Sequence, residues 1–227
     1  MSNSLQQKDA FLTYEANAWF QRNQQYILRF DKNADPVISL MKDYRLNTEQ
    51  VLEIGCSAGH RLNGIKEEFP GATVHGIDPS SDAVQYGMQY YKDINLHVAT
   101  ADTLPYKDST FDVVIIGFVL YVIDRAAFYK VIAEVDRVLK NKGCLIIIDF
   151  FSESTIKKNY HHITEFKAYS FKQNYEEVFL ASHLYHLLDK STWNHSSGNQ
   201  LDASDSYNDK YYVSLLKKDL EISYKES

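Results

Sequence analysis

The sequence of 227 residues has only two cysteines, no run of basic residues, and no apolar stretch long enough to cross a bilayer. Cys56 and Cys144 both fall in or beside segments patterned as buried strands. They are expected to be reduced core thiols, which excludes a disulfide-stapled scaffold. The longest apolar run, Val113 to Val122, is well short of the roughly 20 residues a membrane helix needs. Lys157-Lys158 and Lys217-Lys218 are isolated pairs in a chain of net charge −6. That leaves no surface able to track phosphates, so nucleic acid is not an expected partner. No basic segment leads into an apolar one near Met1, so no secretory signal is expected, and the chain reads as soluble and cytoplasmic. Repeats and low-complexity blocks are also missing. With 44% hydrophobic and 24% charged residues, the composition is that of an ordinary globular protein. The length suits one well-cored domain.

What the sequence has in quantity is aromatic residues: 17 Tyr and 12 Phe, many of them outside the predicted sheet. They gather near the N-terminus and between Tyr160 and Tyr185. Tyrosine combines an apolar face with a polar tip, which suits a pocket for a polar organic molecule and equally suits packing under loops.

The periodicity predicts one or two amphipathic helices from about Leu5 to Arg29, with Phe11, Tyr14, Ala18, Trp19 and Ile27 on the apolar side. Asp35-Pro36 supplies an N-cap and a first-turn proline for a helix reaching about Tyr44. Strand and helix then alternate: strands over Val51–Ile54, Ala72–Ile77, Leu96–Ala99, Phe111–Ile116 and Leu145–Asp149, helices over Arg61–Phe69, Ser81–Tyr91 and Ala126–Leu139. Such alternation predicts a parallel sheet covered on both faces, an α/β doubly wound fold. A turn is expected at Asn141-Lys142-Gly143. After Asp149 the rhythm breaks, with strands predicted only at Leu184–Leu188 and Tyr211–Leu216. Between them Asn194 to Asn208 reads as a long polar loop.

The central signal is Val51-Leu52-Glu53-Ile54-Gly55-Cys56-Ser57-Ala58-Gly59, an apolar strand running into a small-residue turn and then a helix. Gly55 permits the turn, while Ser57 and Gly59 let a ligand approach the backbone at the helix start. Two details separate it from a dinucleotide site. Glu53 stands two residues before Gly55, where a carboxylate can hold an ammonium. The spacing is Gly-x-Ser-x-Gly, not Gly-x-Gly-x-x-Gly. Asp78, at the tip of the second strand before Pro79, can accept from ribose hydroxyls or cap the helix that follows.

These residues resemble the class I S-adenosylmethionine-dependent methyltransferase family, in its small-molecule branch, from about Thr48 to Phe150. The match continues through Thr100-Ala101-Asp102, Leu104-Pro105-Tyr106, Asp108-Ser109, Phe111-Asp112-Val113-Val114, and Arg137-Val138-Leu139-Lys140 with Gly143. The resemblance implies a Rossmann-like, mostly parallel seven-stranded sheet with N-terminal helices and a C-terminal antiparallel hairpin. It implies S-adenosylmethionine as cofactor, held around Glu53, Gly55, Cys56, Ser57, Gly59, Asp78 and Pro79. Ala101, Asp102 and Thr103 would flank the adenine, with Gly117 and Phe118 on the other side. On this reading 1–46 is a helical cap, 47–150 the cofactor core, and 151–227 the substrate-side insertion and terminal strands of a single domain.

Methyl transfer needs an aligned nucleophile and, for a hydroxyl, a general base. His161 and His162 are the expected base candidates, followed by Tyr121; Tyr160, Lys172 and Tyr175 are expected at the substrate. Trp19 and Arg22 lie one helical turn apart, and Arg22 can meet the methionine carboxylate or sit on the surface. No metal site is expected, since His183 and His186 lack further ligands nearby. The stretch after Asn159 is similar to methyltransferases of bacterial surface-sugar biosynthesis, which makes O-methylation of a sugar or sugar nucleotide the first expectation. N-methylation of an amino sugar or another small metabolite is the alternative. A nicotinamide-dependent oxidoreductase and a non-catalytic cofactor-binding subunit are the competing classes, and the protein is expected to be a monomer or homodimer.

Overall fold

The computed structural model describes residues 7–152, 154–164, 167–194, 197–198 and 210–221. Five parallel strands are laid down by the alternation: β1 (Gln50–Ile54), β2 (Thr73–Asp78), β3 (Asn95–Val98), β4 (Phe111–Gly117) and β5 (Leu139–Phe150). Four more follow, β6 (Ile156–Asn159), β7 (Tyr169–Lys172), β8 (Tyr185–Asn194) and β9 (Lys210–Lys218). The main sheet has seven strands in the order β3-β2-β1-β4-β5-β9-β8, with β9 antiparallel to both of its neighbours. This is the doubly wound, mostly parallel arrangement with an antiparallel C-terminal hairpin that the sequence predicted. β6 and β7 form a separate two-stranded sheet that was not foreseen.

Both faces of the sheet are dry, as the continuous apolar strands require. On one face Val114 and Ile116 of β4 pack with Val131, Val135 and Val138 of the helix Phe128–Val138. On the other, Val113 and Ile115 pack with Val37, Ile38 and Met41 of the helix Pro36–Asp43, and with Leu62 and Ile65 of the helix His60–Glu68. We label these helices in chain order: α1 (Gln7–Ala10), α2 (Ala16–Leu28), α3 (Pro36–Asp43), α4 (His60–Glu68), α5 (Ser81–Tyr90), α6 (Phe128–Val138) and α7 (Glu176–Leu180).

Three departures from the sequence reading have physical reasons. The turn at residues 141–143 lies inside the span of β5. Phe111 pairs with Leu139 but Val113 pairs with Cys144, so the intervening residues loop out while the strand continues. Between α1 and α2 the chain makes a π-helical turn, Phe11–Glu15. The wider turn changes the phase of the helical pattern. Tyr14, expected on the apolar side, is 49% exposed, and Glu15 is buried at 3%. Finally, β8 and β9 are longer than their apolar cores. β8 is an edge strand with little alternation in burial, which hides its ends in the sequence. Most of the expected 194–208 loop lies outside the described residues. Both cysteines are free and buried. No helix among the described residues is long and apolar enough to cross a membrane.

The start of α3 is fixed as its sequence predicts: the Asp35 side chain accepts hydrogen bonds from the backbone N–H groups of Val37 and Ile38, both at 3.0 Å. Asp35 also accepts from Arg61 Nε of α4 at 2.9 Å, so one carboxylate caps one helix and ties down the next. Asp35→Ala removes both functions and should lower unfolding stability by about 2–4 kcal/mol in urea titrations. Asp35→Asn, which can still cap, should lose clearly less.

Candidate active site

β1 ends in a turn that admits no side chain at its first position. Gly55 has φ +79°, and a Cβ there would stand 2.3 Å from Val119 Cγ2 and 2.8 Å from the Gly117 carbonyl oxygen. The turn is thus pressed against the end of β4. Gly59, at φ +77°, is the N-cap of α4, and a Cβ there would meet Ile94. Ser57 also has positive φ (+49°) and its buried hydroxyl has no partner. The Cys56 thiol is buried in the core against Gly76.

Glu53 is 1% exposed at the end of β1. Arg61 reaches back from α4, pairing through Nη1 with Glu53 Oε1 and through Nε with Asp35. Burial pushes the Glu53 carboxyl up, with Arg61 opposing. Burial works against the Arg61 charge, but its two carboxylate partners more than restore it. Glu53 Oε2 is buried without a partner. Across the turn, Asp78 accepts the Ser57 N–H at 2.8 Å on one oxygen and the Ser80 N–H at 2.8 Å on the other. Burial raises its pKa to about 6, against the two backbone bonds. Pro79 beside it is exposed.

Asp102 accepts from Lys8 Nζ at 2.7 Å and from Thr100 Oγ1 at 2.7 Å. Burial would raise its carboxyl, but these donors hold it below the usual range. Ala101 is buried in the core and Thr103 is exposed, its hydroxyl on the Asp102 carbonyl. Gly117 closes β4 beside Glu53, and Phe118, at φ +52°, sets its ring tilted 5.2 Å from Phe150 and edge-on 5.6 Å from Tyr211.

The N-terminal segment lies across these strand ends. Gln7 donates to the Val122 and Tyr169 carbonyls at 2.7 and 3.0 Å, and Asn17 accepts from Ser80 Oγ at 2.8 Å. Trp19 packs with Phe20 beside Ala58 of the β1–α4 turn. Arg22 is paired with Glu15.

The expected acceptor-side residues divide. Tyr121 and Tyr160 are neighbours, their ring centroids 6.5 Å apart. His161 and His162 follow Tyr160 on the exposed side, 3.9 Å from one another. Burial and the Arg22 charge hold His162 below its ordinary pKa. Lys172 lies 5.0 Å over the Phe150 ring. Tyr175 is not on this face: it is 0% exposed, its hydroxyl donating to the Phe171 carbonyl at 2.6 Å. The sequence offered no sign of this, since a tyrosine's pattern is the same in a core and in a pocket.

Sequence reasoning missed Lys8, Glu15, Arg61 and Asp149. Arg61 was the most accessible of these, being the second residue after the motif's last glycine. Asp149, fully buried at the end of β5, accepts from the N–H groups of Leu120 at 2.9 Å, Tyr121 at 3.3 Å and Phe150 at 2.7 Å. It holds the chain after β4 in place. Burial raises its pKa to about 7, against those three bonds.

The strand order with a glycine turn after β1 is that of a Rossmann-like fold. Residues 51–143 match the family model described as a methyltransferase domain. A curated demethylmenaquinone methyltransferase of Thermotoga maritima is 31% identical over 111 residues, covering 48% of this chain and 47% of that protein. The chain thus spans about half the length of the curated relatives it matches. Among solved structures, a 1,6-didemethyltoxoflavin-N1-methyltransferase of Burkholderia thailandensis, with S-adenosylhomocysteine bound, superposes with a TM-score of 0.70 at 12% identity. That match covers 96% of this chain and 92% of that one. A SAM-dependent methyltransferase of Methanosarcina mazei gives 0.62 at 18% identity, covering 82% and 99%. The resemblance to class I S-adenosylmethionine-dependent methyltransferases therefore holds across the core, and the cofactor it implies is S-adenosylmethionine.

The residues present fit that group. Glu53 Oε2 is a buried acceptor with no donor, suited to an ammonium. Each Asp78 oxygen has one backbone donor and lone-pair capacity left for a hydroxyl.

Two outcomes follow from this geometry. Gly55→Ala should cost at least about 2 kcal/mol in urea unfolding, from left-handed backbone strain and the clash with Val119. Asp78 and Asp149 bind protons more tightly folded than unfolded, their pKa values rising from 3.8 to about 6 and about 7. Their contribution to stability is greatest below pH 3.8 and is lost as pH rises to about 7. Asp149→Asn should flatten this part of the stability–pH curve.

Proposed function

We propose that the protein transfers a methyl group from S-adenosylmethionine to a small organic acceptor. The observation that carries this reading is the pairing of two differently prepared carboxylates across one glycine turn. Glu53 keeps a buried, unpartnered oxygen, and Asp78 is held in place by Ser57 and Ser80 with acceptor capacity to spare. An ammonium at the first and a ribose at the second place a ligand across the C-terminal ends of β1 and β2, the usual crevice of open α/β sheets. Asp102 and Phe118 then flank its adenine end, with Lys8 over Asp102 as a covering residue.

When bound, the cofactor supplies an activated methyl group on a sulfonium. The chain's own part is to bind, orient and exclude water. Arg61 keeps Glu53 aimed, and Asp149 fixes the backbone that carries Tyr121. Phe150, Tyr160 and Phe171 wall the acceptor side.

For the acceptor we propose a flat ring compound. The aromatic walls support it, and so does a relative's name, which refers to demethylmenaquinone. The sugar or sugar nucleotide first expected gains no support from that name. Cytoplasmic location, a single domain and a monomer or homodimer remain part of the proposal.

The test is calorimetric titration with S-adenosylhomocysteine, using NAD as comparison. One-site binding of the former alone is expected. Glu53→Gln and Asp78→Asn should each weaken it by about 10- to 100-fold, the value of a hydrogen bond to a charged group. Affinity should also fall as pH drops below about 6, where Asp78 takes up a proton. Binding of NAD in place of S-adenosylhomocysteine would overturn the reading.

A further inference from the structure

At the adenine end of the proposed cofactor site the acceptor Asp102 has a donor standing beside it. Asp102 is 8% exposed, and each of its oxygens has one close donor. Oδ1 takes the Thr100 hydroxyl at 2.7 Å, and Oδ2 takes Lys8 Nζ at 2.7 Å. A carboxylate oxygen accepts about two hydrogen bonds, so Asp102 keeps room for an amino group. Lys8 has three N–H donors and gives one to Asp102. Its side chain is 39% exposed, and no second acceptor meets it among the described residues. Lys130 stands further off, its Nζ 3.8 Å from Asp102 Oδ2 and donating to Thr103 Oγ1 at 3.3 Å.

Both partners are held in place by their own segments. Asp102 lies in a tight turn closed by the Thr103 N–H on the Thr100 carbonyl at 3.1 Å, with Ala101 buried in the core. Lys8 stands between two anchors of α1. Gln7 donates to the Val122 and Tyr169 carbonyls and accepts the Tyr169 N–H at 3.1 Å, while Ala10 is 0% exposed and packs with Tyr160 and Ile163. What the pair can recognise follows from its polarity. It offers an acceptor and a donor side by side. Adenine offers the complement, an amino group that donates, flanked on each side by a ring nitrogen that accepts.

We infer that Lys8 is a base-reading residue, its ammonium donating to a ring nitrogen next to the adenine amino group while Asp102 accepts from that amino group. This rests on the methyltransferase reading and deepens it. The N-terminal segment then does more than cover the cofactor, because it supplies the donor half of base recognition. The ion pair orients the ammonium before a ligand arrives, so little side-chain freedom is lost on binding.

The experiment is calorimetric titration of wild type and Lys8→Met with S-adenosylhomocysteine and with its 1-deaza and 7-deaza analogues. In each analogue one ring nitrogen beside the amino group is replaced by C–H. Wild type should bind at least one analogue about tenfold more weakly than the parent, the worth of a hydrogen bond from a charged donor. Lys8→Met keeps the aliphatic stem and removes the donors. It should bind the parent about tenfold more weakly than wild type does, and should bind the parent and that analogue alike. The analogue whose deficit disappears identifies the edge of the base that Lys8 reads. Comparing ratios between ligands cancels any general loosening of the N-terminal segment. If Lys8 only neutralises Asp102 or fastens the segment, Lys8→Met loses the same factor for all three ligands. That result, a wild type that binds all three alike, or deficits that survive Lys8→Met would overturn the inference. A wild type that binds none of the three would instead remove the cofactor reading, and this inference with it.

Discussion

The guanidinium of Arg61 is the contact on which the cofactor end of the structure depends. It joins the end of β1 through Glu53 to the cap of α3 through Asp35, with little solvent on either side. Neither carboxylate is tolerable in such a place alone, and a guanidinium buried without them would be worse. The three charges therefore exist as a unit. The unit fixes the angle at which α4 leaves the glycine turn, and hence where the turn's N–H groups point. It also explains how Glu53 has one oxygen spent and one in reserve. Arg61 occupies Oε1 beside Gly117, where a Cβ would stand 3.2 Å from Oε1 and 3.3 Å from Arg61 Nη1, and leaves Oε2 buried without a donor.

The core of the fold was legible because its signals are local and repeated. β1 and β4 announce themselves as apolar runs, and the turns after β1 and β2 demand particular residues. Gly55 and Gly59 could be read as turn residues from sequence, and both have the positive φ that such turns require. Beyond Phe150 these cues fail. β6 and β7 are short and half-exposed, β8 is an edge strand, and none buries a full face that would impose a period on its sequence.

The site was legible where function and turn chemistry coincide, and not where it depends on long-range pairing. Glu53 and Asp78 stand at fixed offsets from a glycine turn. Glu15 sits in a stretch with no such marker, and its burial follows from a π-helical turn that shifts the phase of the helix by part of a residue. Arg22 could be read toward a methionine carboxylate or the surface, and it pairs with Glu15. Lys8 reaches Asp102 across 94 residues of chain. Such partners are chosen by topology, which only the assembled sheet reveals.

The position of β9 sets the order of events as the protein is made. It is buried along nearly its whole length, between β5 and β8. Until residue 218 has left the ribosome, β5 exposes an unpaired edge from Cys144 to Phe150, and β8 has no neighbour in the sheet. The five parallel strands can gather first, but they must wait with an apolar margin open. The nascent chain is most exposed to aggregation and chaperone capture at that stage, and the pairing of β9 ends it.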